Sequence, residues 1–191
     1  MMARLLGRML RGLHAGEKHL LWNEPEVGAA PASLVVTSPA FEHGALIPPR
    51  HAGKRCGDNI APALAWTGVP SHAAELVLVL EDPSAPLPRP FAHAIVIGIA
   101  PGTSTLEEGW PAVLERPRGA TGPRPGRNTR GGLEYRGPGP VPGHGPHAYV
   151  FQLFALDRPL AFDAPPSRAE IQRAVGGSVI ARGRLDGFYE R

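Results

Sequence analysis

Two stretches of this chain bring proton-holding side chains close to one another. One is Glu81-Asp82-Pro83-Ser84-Ala85-Pro86, followed at Pro90-Phe91-Ala92-His93. The other is Gly137-Pro138-Gly139-Pro140, leading to His147-Ala148-Tyr149. Asp82 closes one apolar run and His93 opens the next. The prolines between them stiffen the connection, so both side chains are expected near one end of a sheet. Alternation along a strand puts His147 and Tyr149 on the same face. A carboxylate, two imidazoles and a phenol would then converge. Glycine lets a ligand approach the backbone, and a turn can aim its N–H groups at an anion.

Each residue also has a plainer reading. An Asp after a strand serves as a turn residue, and a His at a strand start serves as a hydrogen-bonded structural residue. His144 and His147 are spaced for a shared metal, but no acid or cysteine is regularly spaced with them, so no metal is expected. The chain has no G-x-S-x-G, Walker loop, H-E-x-x-H or Rossmann glycine pattern. A cysteine nucleophile would rest on Cys56 alone.

The elements that must position these groups read as strands. Leu34–Thr37 and Leu64–Val69 are short β-type runs. Glu75–Leu80, His93–Ile99 and Ala148–Leu156 are apolar at nearly every position, the pattern of central strands buried on both faces. Ser167 with Glu170 forms a capping box opening one helix, which Gly176-Gly177 stops, and Ser178–Leu185 returns as a strand. The expected fold is mostly β with small peripheral helices. Two long loops, Trp110–Gly132 and Gly137–Pro146, are either functional or disordered at such length.

The chain has 191 residues, enough for one domain with a core of its own. Its 24 glycines and 23 prolines predict a loop-rich fold, while 42% hydrophobic residues argue against disorder. No apolar run approaches the roughly 18 residues of a membrane span. One cysteine allows no internal disulfide. A net charge of +3, spread along the chain, does not demand a nucleic-acid partner, and none is expected. Residues 1–32 read as a basic amphipathic arm and linker, and residues 33–191 as the domain. Leu5, Met9 and Leu13 share one side of a helix interleaved with Arg4, Arg8 and Arg11. The favoured role for this arm is packing on its own domain or on a partner subunit, so a homodimer is one arrangement it allows. A membrane-surface helix is the alternative.

The motifs together resemble the phosphatidylethanolamine-binding protein family, in its bacterial Raf-kinase-inhibitor-like branch. The resemblance runs from about Thr37 to Arg191. It includes Ser38-Pro39-Ala40-Phe41, Asn59-Ile60-Ala61-Pro62 and Leu64-Ala65-Trp66. Asp82-Pro83-Ser84-Ala85-Pro86 with Pro90-Phe91-Ala92-His93 is similar to the family's first signature, D-P-D-x-P followed by a histidine. Asn128, Tyr135, Gly137-Pro138-Gly139-Pro140, His147 and Tyr149 are similar to its second, G-P-x-P-P…H-R-Y. The resemblance implies a β-sandwich built around a large antiparallel sheet. It also implies a small pocket for phosphate or phosphoethanolamine-like anions, formed by Asp82, Pro83, His93, Gly137, Pro138, His147 and Tyr149. There the imidazoles and backbone N–H groups would donate to phosphate oxygens. Asp82 would orient a histidine, and Tyr149 would donate a hydroxyl or wall the pocket.

The chain departs from the family pattern at several points. Ser84 stands for the second acid and Ala148 for the arginine of H-R-Y. The two are expected to pair in relatives, so that losing both avoids an unpaired charge. Val141 replaces a usual proline, and Gly139 stands where bacterial relatives often have cysteine. The resulting expectation is a cytoplasmic, non-enzymatic binding protein for a small anionic ligand, needing no cofactor. The alternatives are a regulator or inhibitor of a partner kinase or protease acting through the pocket loops, or a hydrolase using a pocket histidine.

Overall fold

A computed structural model describes residues 2–111 and 122–191. Part of the loop expected over Trp110–Gly132 therefore lies outside the described residues. The strands are β1 (Val35–Thr37), β2 (Ala45–Leu46), β3 (Leu64–Thr67), β4 (Glu75–Asp82), β5 (Phe91–Ile99), β6 (Thr105–Leu106), β7 (Arg124–Pro125), β8 (His147–Leu156) and β9 (Val179–Tyr189). They form a three-stranded sheet in the order β1-β3-β6 and a six-stranded sheet in the order β2-β9-β8-β4-β5-β7. Pairing is antiparallel except between β2 and β9. The helices are α1 (Met2–Leu10), α2 (Pro25–Gly28) and α3 (Arg168–Ala174). The fold is thus mostly β, as expected.

The continuous apolar runs follow from burial on both faces of the large sheet. Leu76, Leu78 and Leu80 of β4 join Tyr149, Phe151 and Leu153 of β8 in a core that also takes Trp66 of the small sheet. Val77 and Val79 point the other way, into a second cluster with Phe154, Ile171 and Leu21. The helix over 168–174 opens as its sequence predicts. Ser167 accepts from the Glu170 amide while Glu170 accepts from the Ser167 amide. Those Ser167 hydrogen bonds hold the Glu170 carboxyl down to about 2.

Residues 23–32 read in sequence as a spacer, yet they lie against the large sheet. Leu21 and Val27 are buried in the second cluster. Glu81 is fully buried on that face and accepts from the Leu21 amide (2.8 Å), Gln152 Nε2 (2.9 Å) and Arg168 Nε (3.0 Å). Arg182 of β9 donates to the carbonyls of Ala30, Trp22 and Gly28 and lies over the Trp22 ring at 4.1 Å. Prolines exclude a long helix here, and the backbone carbonyls that its short helical turns leave free are satisfied by Arg182 of the sheet.

Candidate functional site

The C-terminal end of β4, the N-terminal part of β5 and the start of β8 meet at one end of the core. Asp82 extends the Leu76-Leu78-Leu80 face, and His147 and Tyr149 extend the Phe151 face. His93 arrives differently. Its neighbours Ile95 and Ile97 belong to the second cluster, on the opposite side of the sheet. Strict alternation would send His93 there too. However, Leu80 pairs with Ala94 and Glu81 with Ala92, leaving His93 as the extra residue of a β-bulge. The bulge re-aims the ring, which packs edge-on against Tyr149 with centroids 5.1 Å apart.

Asp82, His93, His147 and Tyr149 line a cavity of about 640 Å³ together with Gly137 and the residues Lys54, Arg55, Arg130, Arg136 and Glu134, the last paired with Arg136. That volume lies within the usual range for small-molecule sites. Pro83 and Pro138 do not line it. They shape its loops, with the Pro83 carbonyl accepting from the Gly16 amide and the Pro138 carbonyl from Gly53 N (2.7 Å) and Cys56 Sγ (3.3 Å). Gly137 packs so closely that a Cβ there would sit 2.3 Å from the His51 carbonyl oxygen. Asn59, in the left-handed region with φ of 60°, accepts from the Gly137 amide (2.8 Å) and donates to the Tyr135 carbonyl. The Gly137 amide is therefore used within the protein. So is that of Gly139, which donates to the Tyr149 hydroxyl. The donors expected from these two backbone positions are not free for a ligand.

The proton positions follow from the partners. His144 Nε2 faces the Leu10 carbonyl at 2.8 Å and must donate to it. In a neutral ring its Nδ1 then accepts, so His147 Nε2, 2.8 Å away, donates. His147 Nδ1 lies 2.7 Å from Asp82 Oδ2. All three bonds are made when the Asp82–His147–His144 chain holds one proton in each contact, and placing both ring protons on His147 beside the Asp82 carboxylate is one arrangement that satisfies them. His144 was visible in sequence only as a discounted metal ligand. Its role depends on a carbonyl 134 residues away, which no local pattern encodes.

His93 Nδ1 donates to the Arg136 carbonyl, which leaves Nε2 facing the cavity, 4.0 Å from Asp82 Oδ2. Burial pushes the His93 imidazole below its ordinary value, against the pull of Asp82, so Nε2 is bare at neutral pH. Burial, with Asp82 nearby, holds the Tyr149 phenol well above its ordinary value. Its hydroxyl accepts from Gly139 and keeps its own proton to donate. Ser84 and Ala148 are adjacent: the Ala148 amide donates to Ser84 Oγ at 3.0 Å, and the Ser84 amide donates to Asp82 Oδ1 at 2.8 Å. Among the described residues, no cluster of three His, Cys, Asp or Glu side chains has the geometry to hold a metal ion.

Comparisons with known proteins agree on one relationship. The family model for phosphatidylethanolamine-binding protein matches residues 37–190. A UPF0098 protein of Methanothermobacter thermautotrophicus is 37% identical over 152 residues, covering 80% of this chain and 95% of its own. A Mycobacterium tuberculosis relative named as a lipoprotein, LppC, is 38% identical over 165 residues, covering 84% of this chain and 75% of its own, so kinship alone does not fix a compartment. Among solved structures, Escherichia coli YbcL superposes with a TM-score of 0.75 at 28% identity, covering 84% of this chain and 99% of its own. The homologue CT736 of Chlamydia trachomatis superposes with a TM-score of 0.70 at 32% identity, covering 83% and 98%.

Proposed function

Because the chain belongs to the phosphatidylethanolamine-binding protein family, we propose that it is a non-enzymatic binding protein whose cavity takes a small anion, phosphate or a phosphorylated headgroup. The observation that carries this reading is the pair of groups at the cavity, His93 Nε2 and the Tyr149 hydroxyl, in a lining that also includes Lys54, Arg55 and Arg130. Asp82 is hydrogen-bonded by His147 Nδ1 and the Ser84 amide, which offsets its repulsion of the ligand. An incoming anion adds negative charge beside His93, favours its protonation and gains a charge-assisted hydrogen bond. Tyr149 supplies a neutral donor whose proton is not given up. Both nitrogens of His147 are committed to Asp82 and His144. That ring therefore positions its neighbours and does not act as a free base. The cytoplasm is the proposed compartment, in keeping with a lone free thiol at Cys56.

An NMR titration with phosphate and phosphoethanolamine tests the reading, run on the wild type and on His93→Asn. Asparagine keeps a donor near the Nδ1 position for the Arg136 carbonyl but lacks the ligand-facing nitrogen. Saturable shifts centred on β5 and β8 in the wild type, and their loss in the variant, are expected. Saturable binding that is equal in both proteins overturns the assignment.

A further inference from the structure

The helix α1 is amphipathic in an unusual direction. A surface helix buries its apolar stripe and shows its polar face to water. Here the helix rests on the domain through Gly7, where a Cβ would lie 2.2 Å from the Pro142 carbonyl oxygen and 2.8 Å from His144 N. At 100° per residue, Leu5 and Met9 stand on the side opposite Gly7, flanked by Met2 and Leu6. These four side chains are 62%, 75%, 87% and 52% exposed, and Leu13 beyond the helix is 55% exposed. Arg4, Arg8 and Arg11 occupy the adjoining flank and are exposed. No acidic residue precedes Glu17. Among the described residues, none forms an ion pair with these arginines. The helix is fixed in this pose by His144 Nε2 on the Leu10 carbonyl and Arg11 Nε on the Gly143 carbonyl. It also borders the anion cavity, which Ala3 and the exposed Leu87 both line.

We propose that α1 docks the protein on an anionic lipid bilayer, with the apolar stripe in the interface and the arginines at headgroup level. An apolar face with a purely basic flank matches the field and the depth profile of such a surface. A second copy of the chain fits less well. Two copies of this face would bring six guanidinium groups together. A helix of nine residues is about 13 Å long, so the pair would bury well under the roughly 800 Å² per partner of stable interfaces. Docking itself does not depend on the pocket, so the two ideas fail separately.

Co-sedimentation of the full chain with vesicles tests this, comparing phosphatidylglycerol mixed into phosphatidylcholine with phosphatidylcholine alone. Partitioning is expected only with the anionic vesicles and is expected to weaken at high salt. The double substitution Leu5→Glu, Met9→Glu should abolish it. Arg4→Ser with Arg8→Ser should reduce it by roughly fivefold for each charge removed. His93→Asn should leave it intact. All four α1 side chains are exposed, so unchanged thermal unfolding of these variants is expected and excludes misfolding. Absence of partitioning, equal partitioning onto neutral vesicles, or partitioning indifferent to both double substitutions overturns the proposal. So does light scattering that shows a dimer dissolved by Leu5→Glu, Met9→Glu in a protein that ignores vesicles, since the stripe would then face a second copy.

Discussion

Replacing Asp82 with asparagine should change the protonation of a different residue, His147. Asp82 accepts from two donors, the Ser84 amide at 2.8 Å and His147 Nδ1 at 2.7 Å. An asparagine has one carbonyl oxygen and one amide group. The Ser84 N–H cannot become an acceptor, so it keeps the oxygen. The amide then faces His147 Nδ1, which must be bare to accept from it. His147 keeps its Nε2 proton for His144 and becomes neutral. Three charge-assisted bonds turn into neutral ones, because the His147 bond to His144 also loses its charged donor. At about 1.5–3 kcal/mol for the former and about 0.5–1.5 for the latter, the expected loss is roughly 3–4 kcal/mol in total. Nitrogen-15 NMR of the histidine rings reads the protonation, and urea unfolding reads the stability. The wild-type ring should show a proton on each nitrogen and the variant only the one on Nε2. A wild-type His147 with a bare Nδ1, or a variant ring still doubly protonated, refutes the proton assignment of the whole chain from Asp82 to Leu10.

Other consequences are as direct. His93 is held below its ordinary 6.5 by burial, so the unfolded chain binds its proton first. Its contribution to stability is therefore complete above that pH and is lost as pH falls toward the folded value; urea midpoints should decline on acidification, less so in His93→Asn. Sulfate keeps one charge state across the same interval, so its affinity should rise as pH falls, and a flat isothermal titration profile would contradict the ligand role of Nε2. Glu81→Ala leaves the buried Leu21 amide without its acceptor and removes one partner of the half-buried Arg168, which keeps Glu24, and should cost about 1–3 kcal/mol by chemical denaturation; a loss below about 0.5 kcal/mol would place the network among weak surface pairs. Ser84→Asp should destabilise more alone than with Ala148→Arg, because the positions touch and the arginine supplies the missing counter-charge; additive effects in a double-mutant cycle would sink that pairing.

Much of this architecture was readable from local pattern. Strands β4, β5 and β8 announce themselves because each buries both faces, which forces the uninterrupted runs ELVLVL, HAIVIGI and AYVFQLFAL. The shared face of His147 and Tyr149 follows from strand periodicity, and the capping box at Ser167 is written in two residues. The bulge at His93 was not readable, because a register shift depends on which strand lies opposite. Alternation alone sends that ring to the wrong side of the sheet. The buried network of Glu81, Gln152 and Arg168 joins residues up to 87 positions apart, and its effect is to convert an apparent spacer into packed structure. The pose of α1 is also hidden. The Leu5-Met9 stripe predicts a buried face, but Gly7 offers the closer approach to the loop at Pro142–His144 and the stripe is left outside.

The most direct test of the binding site is a crystal structure grown with phosphoethanolamine. The phosphate group should lie within hydrogen-bond distance of both His93 Nε2 and the Tyr149 hydroxyl, with the Asp82–His147–His144 chain unbroken behind it. An empty cavity, with the ligand held only by surface arginines, would contradict the account.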